Sequence, residues 1–222
     1  MFNIIRNIRR RYIIKNNSIP NQLWVNTIKQ LGVLDHLNPK ELVRLRKVTT
    51  LFLYHKTITP VQSLELSEKQ RLIIAVQACL LIVNLDFDYY DGWVEVVVYP
   101  DTFIVERNVT SDEGIVSSHS NILSGEAWSQ GSVILSWTDV ERDSFTPHKG
   151  NNVVLHEFAH KLDMLNGRAN GMPPLHPKMH RQEWTKSLGD AYELLINNLQ
   201  YERPHYINEY AATNPAEFFC CN

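Results

Sequence analysis

One stretch limits this chain more than any other: Val153-Val154-Leu155-His156-Glu157-Phe158-Ala159-His160-Lys161-Leu162-Asp163. It sets H-E-x-x-H inside an apolar run compatible with a helix. Positions four apart on an α-helix share a face, so His156 and His160 can address one ion. Two neutral imidazoles on such a ridge suit Zn²⁺, which takes nitrogen and sulfur donors in a tetrahedral shell. Glu157 follows the first of these donors and points near the ion without occupying the same direction. There it can take a proton from water that the ion activates. A surface helix carrying two chance histidines does not need apolar residues on both flanks, whereas a helix inside a domain does. The expectation is a zinc hydrolase.

At 222 residues the chain has room for one large domain, or for a small one packed on a larger. Its 44% hydrophobic and 21% charged residues are those of an ordinary globular protein. A formal net charge of −2 leaves no electrostatic footprint for nucleic acid. The cysteines are Cys79, Cys220 and Cys221. Adjacent Cys220 and Cys221 would pair only under strain and Cys79 lies in an apolar helical run, so no disulfide framework is expected and a reducing cytoplasm fits.

The N-terminal segment holds Arg6, Arg9, Arg10, Arg11 and Lys15 and no acid. Its charges interrupt every apolar run, which excludes a standard signal peptide. An interfacial helix with Phe2, Ile5, Ile8 and Tyr12 on one side is one reading. A solvated, frayed terminus is the expectation, so residues 1–19 are taken as a flexible basic segment and 20–222 as the domain. The longest apolar stretch, Leu72 to Leu85, is too short to span a membrane and contains Gln77 and Asn84.

Within 20–222 the pattern changes twice. Residues 20–90 read as a helical scaffold. Pro20 to Leu31 places Leu23, Trp24, Ile28 and Leu31 on one side. Asn38-Pro39-Lys40-Glu41 offers a capping residue, proline at the first helical position and glutamate at the third. Ser67-Glu68-Lys69-Gln70 repeats the logic before an apolar helix, Leu72 to Val83. Residues 93–137 read as a sheet. Trp93–Tyr99 and Phe103–Val105, joined by Pro100-Asp101, suggest a hairpin. Val109 to Asn121 is polar and reads as a loop, and Ser132–Trp137 as another strand. Residues 151–222 read as the active-site helices, with Asn166-Gly167 stopping the motif helix. The fold class expected is α+β, with a small, mainly antiparallel sheet and the H-E-x-x-H helix.

A catalytic zinc needs a third protein ligand and an open position. Asp163, Glu183, Asp190, Glu193, Glu202, Glu209, Glu217 and the histidines beyond His160 all follow the motif, and spacing does not choose among them. Glu217 also has a plainer explanation, since Asn214-Pro215-Ala216-Glu217 has the form of Asn38-Pro39-Lys40-Glu41 and reads equally as a capping box. Asp163 is expected to orient a ligand histidine or to cap within the helix.

His156-Glu157-Phe158-Ala159-His160 with Leu162-Asp163, together with Tyr210-Ala-Ala-Thr-Asn-Pro-Ala-Glu217-Phe218-Phe219, resembles the Mlc titration factor A family of zinc metallopeptidases. The likeness continues through Leu51–Leu53, Leu64–Leu80, Val98–Phe103, Gly125–Trp128, Val133–Trp137 and Asn151–Asp163. The two motifs also resemble the catalytic domain of anthrax lethal factor. The resemblance implies a zincin-like domain whose zinc is held by His156, His160 and Glu217, with Glu157 as base and Tyr210 beside the oxyanion. It implies a gluzincin-type, cytoplasmic peptidase, aminopeptidase-like on short peptides. It also implies a protein partner, the glucose repressor Mlc, whose capture relieves repression of sugar-uptake genes. The other role that fits is a repressor-binding protein with a vestigial or structural zinc. Family members continue beyond the A-E-F-F segment, so a shortened ligand helix and loosened zinc are expected here. Peptides commonly bind such enzymes along a sheet edge, and Ser132–Trp137 is the edge expected.

Overall fold

The computed structural model describes residues 2–101, 103–110, 116–123, 125–127, 131–145 and 151–221, with residues 2–3, 103–110, 116–123 and 125–127 described in their backbone alone. Its α+β fold begins with three helices, α1 (Phe2–Asn16), α2 (Asn21–Ile28) and α3 (Pro39–His55). Strand β1 (Thr57–Pro60) and helix α4 (Glu68–Leu80) follow, then β2 (Glu95–Tyr99), β3 (Phe103–Thr110), β4 (Val116–Leu123), β5 (Gly125–Ala127) and β6 (Val133–Ser136). The C-terminal part consists of α5 (Trp137–Phe145), α6 (Val153–Asp163), α7 (Arg181–Gln200) and α8 (Pro215–Cys220).

The capping signals work as read. Asn38 accepts from the amides of Lys40 and Glu41, and Glu41 returns a bond to the Asn38 amide at 2.9 Å. Ser67 and Gln70 make the same reciprocal box at the start of α4. From α3, Leu45, Val48 and Phe52 enter the core. On α4 every residue from Leu72 to Cys79 is buried, as its all-round apolar sequence requires.

The sheet departs from expectation. Its order is β1-β2-β6-β5; β1, β2 and β6 are parallel, and β5 alone is antiparallel, against β6. The sheet is thus mainly parallel, not mainly antiparallel. The reason lies in β1. Thr57-Ile58-Thr59-Pro60 is too short and polar to announce a strand, yet it pairs with Glu95–Val98 across the α4 crossover. With β1 unseen, Pro100-Asp101 read as a hairpin turn. In the structure β2 pairs with β1 and β6, while β3 pairs with β4 in a separate two-stranded ribbon. That ribbon also takes up Val109–Thr110 and Val116–Asn121, which had read as loop; pairing along the backbone needs no apolar alternation when neither face is signalled by the core. Strand β6 lies between β2 and β5, so it is not the sheet edge, and Trp137 already belongs to α5.

The N-terminal segment is also corrected: it is helical rather than frayed. Helix α1 seats Ile13 in the core at 2% exposure, and Arg6 and Arg10 pair with Asp86 and Asp88.

At the centre stand Phe52, Tyr90, Trp93 and Phe158, with all six ring pairs between 5.4 and 6.1 Å, five of them edge-on and one tilted. The Tyr90 hydroxyl donates to the Ala78 carbonyl at 2.6 Å. Lys56 donates to the carbonyls of Tyr90 and Trp93 with its Nζ 4.0 Å from the Trp93 ring centroid, and burial lowers its pKa to about 8. Phe158 brings the motif helix into this cluster. Phe158→Ala is therefore expected to destabilise the fold by about 3–5 kcal/mol, measured by denaturant unfolding. A loss under about 1 kcal/mol would mean that the cluster does not anchor α6.

Candidate metal centre

The motif helix α6 is fixed from both ends and from below. Asn152 caps it, accepting from the Leu155 amide at 3.0 Å, and the side chain of Asn152 donates to Gln77 at 2.6 Å. Gln77 lies buried on α4 and also donates to Ser144 at 2.8 Å. The polar residue that interrupts the apolar stretch of α4 is thus the brace for the start of the motif helix. Asp143 adds a carboxylate on the Val153 amide at 3.0 Å. Val153, Val154, Phe158 and Leu162 face the core, which turns His156 and His160 to the opposite side. Farther along, Lys161 donates to the Gly131 carbonyl at 2.8 Å and ties α6 to the chain entering β6.

His156 Nε2 and His160 Nε2 stand 3.2 Å apart, and Glu217 Oε2 is 3.2 Å from the first and 3.3 Å from the second. Two imidazole nitrogens and a carboxylate oxygen at such spacing need a proton or a cation among them. The triangle matches a tetrahedral ion, because donors at about 2.0–2.1 Å from zinc lie about 3.3–3.4 Å from one another. Among the described residues these three form the group able to hold a metal. Two nitrogens and one carboxylate oxygen suit zinc, and three protein donors leave a fourth position open, as in catalytic rather than structural sites.

The structure separates the cap of α8 from the Glu217 carboxylate. Asn214 accepts from the amides of Ala216 and Glu217 at 2.9 and 3.0 Å and so caps α8 by itself. At Asn38 the glutamate turns back to complete the box; at Asn214 the glutamate turns outward to the two histidines. Burial pushes the Glu217 carboxyl up, but the imidazoles beside it prevail and hold its pKa down to about 2. It is therefore ionised throughout the neutral range, and a metal entering the site displaces no proton from it.

Helix α8 is short, and its hold comes from side chains. Phe218 is 1% exposed, stacks edge-on against Tyr192 at 5.4 Å and joins Leu195 and Ala211 in a second small core. Phe219 meets Trp184 at 5.9 Å. Tyr210 stands in a 3-10 turn before α8, half-exposed, with its ring 6.2 Å from that of His156. Its amide is held by Asn208 at 2.8 Å, and Asn208 in turn donates to Asn151 at 2.5 Å, beside the motif helix. Tyr210 is not a packed core aromatic. Glu157 is buried at 5% exposure on the motif helix, one residue from His156.

Asp163 does something sequence spacing did not suggest. Its Oδ2 accepts from the amides of Asn170 and Gly171, both at 2.7 Å, so it holds a turn rather than a histidine. The Gly171 carbonyl accepts from the Trp184 indole at 3.0 Å. Gly171 has φ +77°, and a Cβ there would sit 2.7 Å from the Pro215 carbonyl oxygen, at the first position of α8. This turn is a spacer between the motif helix and α8, and the only trace of it in the sequence is the glycine-proline punctuation at 171–174. Gly171→Ala is expected to strain the turn by about 1–3 kcal/mol and to push Pro215 outward, weakening metal affinity about tenfold or more. Metal titration of a variant that remains folded measures this; unchanged affinity would mean the turn does not set Glu217.

Comparison with known proteins adds an independent line. A profile of the glucose-regulated metallo-peptidase M90 family matches residues 5–221. Among relatives, Mlc titration factor A of Escherichia fergusonii is 37% identical over 202 residues, covering 90% of this chain and 75% of the relative. Mlc titration factor A of Klebsiella pneumoniae is 39% identical over 196 residues, covering 85% and 71%. A Synechocystis protein is 37% identical over 185 residues, covering 82% and 67%.

Proposed function

The chain belongs to the glucose-regulated metallo-peptidase M90 family, and from that premise we propose that it is a zinc-dependent peptidase, aminopeptidase-like on short peptides. The observation that carries this reading is the triangle of His156, His160 and Glu217 with Glu157 one residue from its apex. His156, His160 and Glu217 hold the ion. When bound, zinc supplies Lewis acidity toward the scissile carbonyl and makes water at the open position more acidic. Glu157 takes the proton of the attacking water and delivers it to the leaving amine. Tyr210, from the half-exposed side of His156, donates its hydroxyl hydrogen to the oxyanion as charge develops. Strand β5 borders the sheet beyond β6 and is the edge to which an extended peptide adds.

Hydrolysis of amino-acid nitroanilides tests this reading. The zinc-loaded chain is expected to cleave them, to lose activity with a chelator and to regain it with one equivalent of zinc. A fully loaded, folded chain that cleaves none of the series would overturn the peptidase reading.

The relatives' name, Mlc titration factor A, favours a second role, capture of an Mlc-type repressor. We propose it as compatible with the first, since neither reading requires the other. Co-purification of the chain with such a repressor, with and without zinc, tests it; no complex in either state would remove it.

A further inference from the structure

Among the described residues, helix α1 leaves one face without a partner. Ile13 and Ile14 face the body, and Arg6 and Arg10 are spent on Asp86 and Asp88, with the Arg10 guanidinium 5.8 Å from the Phe87 ring centroid. The opposite face carries Ile4, Ile5, Ile8 and Tyr12, exposed at 65, 62, 61 and 69%. Ile4, Ile8 and Tyr12 follow one another at four-residue steps, and Ile5 lies beside them, so they form a continuous apolar strip. Lys15 ends the strip, and the helical period puts Arg9 on one flank and Arg11 on the other. All three cations are exposed and have no ion-pair partner among the described residues. No acidic residue occurs before Asp35.

We propose that this face of α1 is a docking surface for an anionic lipid bilayer, on which the helix lies in the interface plane. The chemistry favours that occupant over others. A strip of isoleucines enters the acyl boundary, and arginine and lysine stems reach outward from its flanks to the headgroups. Nucleic acid would meet isoleucine where it needs cations. A second copy of the face would bring Arg9, Arg11 and Lys15 of two helices together with no carboxylate on either helix to pair them. At 15 residues, or about 22 Å, the helix is too short to cross a bilayer, and no described helix is long and apolar enough to do so.

Co-sedimentation of the full chain with vesicles tests the proposal. On phosphatidylcholine vesicles containing about one-third phosphatidylglycerol, binding is expected and should weaken as salt is raised; on pure phosphatidylcholine it should fall at least about tenfold. Ile5→Asp with Ile8→Asp, and separately Arg9→Gln with Arg11→Gln, should each lower binding to the anionic vesicles at least about tenfold. Thermal unfolding should not move, since these side chains face solvent. If the aspartate pair does not fold, Ile5→Ser with Ile8→Ser replaces it. Absence of binding to anionic vesicles overturns the proposal, and so does equal binding by the folded isoleucine variant. Self-association that is lost in Ile8→Asp, without vesicle binding, would assign the face to a second copy instead.

Discussion

Glu157→Gln is expected to lower peptide turnover by about 10²-fold or more, a loss of about 2.7 kcal/mol in transition-state stabilisation, while zinc content stays at the parent level. Glutamine has the size of glutamate and keeps a hydrogen-bonding oxygen, but it cannot hold a proton between water and the leaving amine. Glu157 is buried on the motif helix and lies outside the triangle of donor atoms, so its replacement leaves those donors in place. Steady-state kinetics on a nitroanilide, paired with metal analysis of the same sample, gives both readings. Unchanged turnover with zinc retained would remove Glu157 from the reaction.

The second large effect concerns the donors themselves. His156→Ala or His160→Ala is expected to weaken zinc by at least about 10³-fold, because loss of a direct donor costs more than the 10- to 100-fold typical of the groups behind one. Glu217→Ala is expected to weaken it by at least about tenfold. That variant is informative because Asn214 caps α8 through its own side chain, so alanine leaves the cap intact and removes the carboxylate alone. Competition against a chromogenic chelator reads all three. Parent-like affinity in Glu217→Ala would return the residue to a capping role and place the third donor elsewhere.

How much of this was legible depended on how local the signal was. The motif helix, the caps at Asn38 and Ser67 and the buried faces of α3 and α4 follow from residues within a few positions of one another, and the structure has them where they read. The parallel sheet did not, because its first strand, Thr57–Pro60, gains its partner only across the α4 crossover. Residues 1–15 looked solvated from their charge, yet two of the arginines meet acids more than seventy residues away, at Asp86 and Asp88. At the site, helical period alone puts His156 and His160 on one face of α6, where they read as donors. Glu217 needed the family resemblance, since its local sequence fits a capping box equally well. Gln77, Asp163 and Gly171 act by bracing one element against another, and such roles have no local signature. Gly171 in particular is required by a close approach to Pro215 that only the fold creates.

The central claim is a zinc shell of two imidazoles and one carboxylate. X-ray absorption at the zinc edge tests it most directly on the loaded chain, because it separates nitrogen and oxygen donors from sulfur, and Cys221 Sγ contacts His156 only at Nδ1, the ring nitrogen outside the donor triangle. The expected result is one zinc per chain with nitrogen and oxygen donors at about 2.0–2.2 Å and the outer-shell scattering of two imidazoles. A sulfur donor at about 2.3 Å, or a shell with one imidazole or none, would contradict it.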